Sequence, residues 1–209
     1  MSASRLLLAH SSPLWPRVLK HPFVHAVADG SLDRDAFARW MVADYAYNLE
    51  YRRFLAGLIT IAPTSWDADV IAEGLPSHKG DIELIRQVAV RHGIDLDVEP
   101  GPTVIGFSAY LHSLLQRGYE VALAALFSSE MVYYDGWSSV RGQASWENLY
   151  WPFIETWSSQ FFADWIAGLS RLIDASAPDG PSMPMFVAFD RVVRFELLFW
   201  TGIYAGETW

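Results

Sequence analysis

An all-α fold is what the sequence predicts, on three observations. Nearly every stretch between Pro/Gly breaks repeats its apolar residues with a 3.6-residue rhythm, while the alternation of a half-buried strand is hardly seen. Helix start and stop signals also punctuate the chain at helical spacings. Nothing repeats at a longer fixed period and no low-complexity tract stands out. Two breaks, Val98-Glu99-Pro100-Gly101-Pro102 and Ala177-Pro178-Asp179-Gly180-Pro181, are short enough to be loops. Residues 1–209 therefore read as a single helical domain.

The elements follow in order. Residues 11–29 predict one or two short helices ending near Gly30. Asp33 caps a long helix over about 34–61, closed by Pro63. Ser65 caps the next, which Gly74 and Pro76 break or kink before it continues to about 92 and stops at Gly93. Thr103 opens a helix ending near Gly118. Residues 119–140 form another, apolar on all sides and hence central. Ser145 starts a helix to about 174, with Pro152 in its early turns or kinking it, and the last runs from about Pro184 to Tyr204. The total is about seven.

Composition narrows the function. Apolar residues are 52% and charged ones 19% of the 209, against roughly 25% charged in an average domain, so a large core forms and disorder is excluded. The aromatic share is 15%, with 10 Trp, a surplus that suits an interior pocket or a wide subunit interface. The net charge of −9, unrelieved by any Lys/Arg cluster, repels a phosphate backbone and argues against a nucleic-acid partner. The absence of Cys removes disulfides, thiolate metal sites and thiol nucleophiles, and fits a cytoplasmic location. The apolar run Leu6 to Ala9 is too short for a signal peptide's core, and no long uncharged apolar window suggests a membrane span.

Three carboxylates fall where carboxylates are costly. On the 34–61 helix, Phe37, Trp40, Met41, Tyr47, Tyr51, Leu55 and Leu58 define a buried face, and Asp44 sits within it. On the last helix Glu196 lies among Phe189, Val192, Val193, Phe199, Trp200 and Ile203. On the central helix Glu130 shares a face with Leu126, Phe127, Tyr133, Tyr134 and Trp137, and Ser129 stands beside it. A carboxylate on an apolar face must be paired or hydrogen-bonded, and desolvation is a route to acid–base chemistry near neutral pH. A register-fixing ion pair explains any one of these singly. Three on three long helices, each flanked by Tyr or Trp, point to a shared polar site in an aromatic pocket. Such a site suits a flat, nitrogen-rich ring, and its negative walls favour a cation or amidine.

Other chemistries fit less well. His21 and His25 in HPFVH stand i, i+4 apart, but no Glu lies between them in the metalloprotease pattern. A di-iron bundle wants a Glu-x-x-His pair, which is absent, and His78 is the only His inside the long middle helices. No Gly-x-Ser-x-Gly elbow, P-loop or Gly-x-Gly-x-x-Gly occurs. Trp146 and Trp151 read as core or interface.

Several stretches together resemble TenA-family proteins, the thiaminase II / aminopyrimidine aminohydrolase group. His21–Tyr51 (HPFVHAVADGSLDRDAFARWMVADYAYNLEY) carries the HPFV, D-G-x-L, F-x-x-W and D-Y-x-Y marks. PTVIGFSAYL, ALAALFSSEMVYY, FIETWSSQFF and FELLFW follow in order. The resemblance implies a haem-oxygenase-like bundle of about seven helices, a homotetramer, and neither metal nor organic cofactor. It implies a site that holds a substituted aminopyrimidine between rings and hydrolyses the bond from its exocyclic methylene to a leaving nitrogen. By motif position, Asp44 grips the amidine face with Tyr47 nearby, Glu196 is the acid/base, and Tyr133 supports nucleophile and ring.

The departures are specific. The thiol-bearing branch places a nucleophilic Cys where this chain has Ser129, and two pocket tyrosines are replaced by Phe107 and Trp157. A branch without the Cys uses a Glu, a part for which Glu130 is placed. The expectation is thus a hydrolase of aminomethyl- or formylaminomethyl-pyrimidines acting without a thiol, with Glu196 donating a proton, Asp44 holding the ring and Glu130 activating water. The alternatives are a pyrimidine-binding relative that has lost the chemistry and, third, an iron-dependent oxidase on the same bundle.

Overall fold

Eleven helical segments, and no strand, occupy the described residues, 1–11 and 13–209 of a computed structural model. They are α1 (Ala3–His10), α2 (Trp15–Leu19), α3 (Pro22–Asp29), α4 (Arg34–Thr60), α5 (Ser65–Ala72), α6 (Gly74–His92), α7 (Pro102–Leu115), α8 (Tyr119–Arg141), α9 (Trp151–Trp157), α10 (Gln160–Ser176) and α11 (Met183–Ala205). Two expected helices, 65–92 and 145–174, are each two segments, residues 11–29 hold two short helices, and α1 has no counterpart in the sequence reading. Pro76 lacks the N–H that would bond Ala72, so α5 and α6 part at Glu73, which keeps right-handed helical angles. The expected 145–174 helix starts only at Trp151, with Pro152 in the first turn of α9, and stops at Ser158. Ser159 then caps α10, its side chain accepting from the Phe162 N–H. Asp33 caps α4 as expected. The cap of α5 is Thr64 and not Ser65: its Oγ1 accepts from the Asp67 N–H at 3.2 Å. Gly30 and Gly93 close α3 and α6 at φ 75° and 65°, left-handed angles that cost glycine little.

The chain packs as two compact units, one of Met1–Leu32 with Glu120–Thr201, the other of Asp33–Tyr119 with Gly202–Trp209. In the second, α5, α6 and α7 all lie against α4. The buried stripe of α4 runs from Ala36 through Trp40, Asp44, Asn48 and Tyr51 to Leu58. At Gly57 a Cβ would stand 2.5 Å from Leu115 Cδ1, so a larger residue there would make the Leu115 side chain turn aside. The C-terminal residues are tied in by Arg39, whose Nε donates to the Ile203 carbonyl at 2.8 Å, and by Glu207, which accepts from Thr103 N and Oγ1 at 3.3 and 2.5 Å.

The first unit is centred on α8, where Ala122 to Leu126 are wholly buried, as its unbroken apolarity predicts. Trp15 Nε1 donates to Asp135 Oδ2 at 2.9 Å, and Ser128 Oγ donates to the Phe189 carbonyl at 2.9 Å. Asn148 Nδ2 and Tyr150 Oη donate to the Val27 and Leu32 carbonyls at 2.8 and 3.1 Å, fastening the 142–150 segment to α3. Each wholly buried large side chain, such as Phe23, Phe127 or Trp165, contributes about 1.5–3 kcal/mol by leaving water.

Candidate functional site

Two constellations emerge, one in each unit. In the first, Ser129 of α8 and Glu196 of α11 are 5% and 3% exposed, and Ser129 Oγ donates to Glu196 Oε1 at 3.3 Å. One turn further along both helices, Tyr133 stacks on Trp200 with centroids 5.7 Å apart and planes 10° from parallel. Successive turns of α8 thus meet successive turns of α11, so the helices run in the same sense here, and the i, i+4 rule aligns acid with hydroxyl and ring with ring. Phe23 of α3 stacks on the same Trp200 at 4.5 Å. Trp157 stands edge-on to Tyr133 at 5.2 Å and near-parallel to Phe153 at 5.3 Å. The result is a buried carboxyl–hydroxyl pair beside a continuous aromatic wall. Glu130, next to Ser129, is 4% exposed, which answers whether it lies in the protein interior but assigns it no role.

In the second unit, Asp44 is 2% exposed. Asn48 Nδ2 donates to the Asp44 carbonyl at 2.9 Å and to its Oδ2 at 3.3 Å. Asn48 Oδ1 meets His78 Nδ1 of α6 at 2.8 Å, and Asp81 Oδ2 lies 3.7 Å from the same nitrogen. Tyr47 packs at 4.9 Å from Phe107 of α7 and at 5.1 Å from Tyr51, whose ring is 4.8 Å from His78. Tyr47 of α4 and Phe107 of α7 are thus in ring contact, with Asp44 one turn before Tyr47 on α4. Asn48, His78 and Asp81 were missed. A polar residue one turn after Asp44 was the readable signal for Asn48, whereas only the packing of α6 on α4 brings His78 to it.

His21 caps α3: its Nδ1 accepts from the Phe23 N–H at 3.1 Å, and its Nε2 is 3.2 Å from Thr201 Oγ1. Burial pushes its pKa below the ordinary imidazole range. With both ring nitrogens so engaged and His25 exposed, the HPFV signature is explained by capping and by the Phe23–Trp200 stack. Among the described residues, no three His, Asp or Glu side chains gather as a metal site requires, and no helix is long and apolar enough to cross a membrane.

The aminopyrimidine aminohydrolase of Halalkalibacterium halodurans is 27% identical, the match spanning 100% of this chain and 98% of that protein. A TenA homologue from Pyrococcus furiosus superposes with a TM-score of 0.91 at 27% identity, over 96% of this chain and 99% of that one. A protein of heme oxygenase-like fold from Shewanella denitrificans superposes at 0.72 with 14% identity, over 97% and 92% of the two chains, and the fold here is of that haem-oxygenase-like, all-α kind. Residues 8–206 match the model of the TENA/THI-4/PQQC family, and the chain belongs to that family.

Proposed function

We propose that the protein hydrolyses a thiamin-related aminopyrimidine at its exocyclic CH2–N bond without a thiol nucleophile. The observation that carries this reading is the buried Ser129–Glu196 hydrogen bond beside the Tyr133–Trp200 stack: an acid/base group in contact with a hydroxyl, next to faces that suit a flat ring. The full-length likeness to an aminopyrimidine aminohydrolase supports the substrate class.

Glu196 delivers a proton to the leaving nitrogen, and the CH2–N bond breaks with its electron pair going to that nitrogen. A water oxygen bonds to the methylene while Glu130 takes the water's proton. An aminomethylpyrimidine thereby gives a hydroxymethylpyrimidine and ammonia. Ser129, donating to one oxygen of Glu196, orients the carboxyl, which supplies the partner that a lone serine lacks in the sequence. Asp44 accepts from the ring's amino group and protonated ring nitrogen, a charge-assisted pair of bonds. Tyr47, Phe107, Tyr133 and Trp157 supply aromatic faces, the second and fourth without hydroxyls. By the same family resemblance the protein works as a cytoplasmic homotetramer, and a tetramer's mass is expected in light scattering.

The test is incubation with aminomethyl- and formylaminomethyl-pyrimidines, followed for ammonia from the first and formamide from the second. Release of either supports the reading. No product at enzyme concentrations near that of substrate overturns it, and tight pyrimidine binding in a calorimeter without product then favours a binding protein that has lost the chemistry.

A further inference from the structure

The hydrogen bonds around Asp44 have a direction that can be deduced. The Asp44 main-chain carbonyl only accepts, so the Asn48 atom 2.9 Å from it is the amide nitrogen. Asn48 therefore turns its oxygen to His78. That oxygen also only accepts, so His78 Nδ1, at 2.8 Å, carries the proton. The Asp81 carboxylate, 3% exposed and 3.7 Å from Nδ1, sits where it favours that protonation. His78 itself is 9% exposed and Asn48 5%, so water does not readily substitute for either.

We propose that Asn48, His78 and Asp81 are positioning residues that lock the Asn48 amide with its N–H toward Asp44, so that this carboxylate is oriented to accept from ligands presenting N–H donors and to reject those presenting a carbonyl in the same place. The inference rests on the reading of Asp44 as the group that grips the pyrimidine. Without a donor at His78 Nδ1 the Asn48 oxygen is left buried and unpaired, and the side chain is drawn away from Asp44 toward another donor. Asp44 Oδ2 then loses the Asn48 N–H, and the carboxylate shifts or takes a different partner. Selectivity for a 4-amino over a 4-oxo pyrimidine is the property this arrangement sets, since the two rings differ in donor and acceptor at one edge. A site built to pair one donor rejects the analogue lacking it because its own buried group is left unpaired.

The experiment has two readouts. Nitrogen-15 spectra of histidine-labelled protein, with His78 assigned by its loss in His78→Leu, report the tautomer without any ligand. Protonated Nδ1 is expected, and a neutral ring protonated only at Nε2 overturns the inference. Calorimetric Kd values for the 4-amino and 4-oxo pyrimidines are then compared for wild type, His78→Leu and His78→Asn, the last placing an amide N–H near the position of Nδ1. His78→Leu is expected to lower the amino-to-oxo preference about tenfold, and His78→Asn to restore most of the preference. Thermal melts identify variants that fail to fold, and Asn48→Leu then replaces His78→Leu in the comparison. A folded variant that keeps wild-type preference overturns the inference. If wild type binds no pyrimidine, the proposed function fails separately and the ligand-selection part with it, while the tautomer still decides the amide's orientation.

Discussion

On the proposed mechanism, Glu196 is the residue on which turnover depends most. Glu196→Gln keeps an acceptor for Ser129 Oγ but has no proton to give, so kcat is expected to fall by about 10²–10⁴ with pyrimidine affinity little changed, as steady-state and binding measurements would report. Ser129→Cys places a thiol against the same carboxyl, which is positioned to take its proton. That variant is expected to gain at least about tenfold in release of the thiazole from thiamin, and to become sensitive to iodoacetamide. Asp135 supplies a stability test on the same helix. Burial pushes its pKa above the ordinary 3.8, against the lowering effect of the Trp15 hydrogen bond. The folded state therefore prefers the protonated form. The stability this contributes is present at acid pH and is lost as pH rises from 3.8 through the raised folded value. Asp135→Asn resembles the protonated acid and still accepts from Trp15 Nε1, so its Tm should exceed that of wild type at pH 7 and the gap should close toward pH 4.

At the scale of elements, α3 depends on a titratable cap. His21 has a pKa below 6.5 in the folded protein because burial disfavours the cation. Its contribution is therefore complete above pH 6.5, the unfolded value, and is lost as pH falls from there through the lowered folded value. Protonation also removes the Nδ1 lone pair that accepts from Phe23, and losing such a cap costs about 1 kcal/mol. Between pH 7 and 5 wild type should lose about 2–4 °C of Tm that His21→Asn, capping with an oxygen that does not titrate, retains. Caps also mark where elements were legible. Asp33 precedes a long uninterrupted stripe and its helix was readable from both ends. Ser65 lies next to the true cap Thr64, because either hydroxyl suits the position and only the backbone angles distinguish them. The 142–150 segment has helix-compatible residues, yet its Asn148 and Tyr150 spend their polar groups on α3 and Leu32, bonds that no local pattern reveals.

For the whole molecule, the proposed thiol-free mechanism in a chain with no Cys predicts full activity after exhaustive treatment with iodoacetamide or N-ethylmaleimide, measured by ammonia release. Thiol-dependent relatives would lose theirs. How far the site could be read from the chain follows the same division. Asp44, Glu130 and Glu196 declared themselves because each interrupts an apolar stripe, and all three are buried. The Ser129–Glu196 contact could not be read, since 67 residues separate the two and nothing local encodes the register of α8 on α11. His78 was equally silent, lying on a partly polar helix where histidine is unexceptional.

That shared register decides which kinds of mutation the protein can survive over time. Point changes at 129, 133, 196 or 200 alter one contact and leave the others in place, so chemistry can drift there stepwise. A single codon inserted upstream in either helix would swing every later side chain by about 100° and unseat hydroxyl, acid and both rings together. Length variation among descendants should accordingly collect between α8 and α9 and between α10 and α11, and be purged from the paired helices themselves.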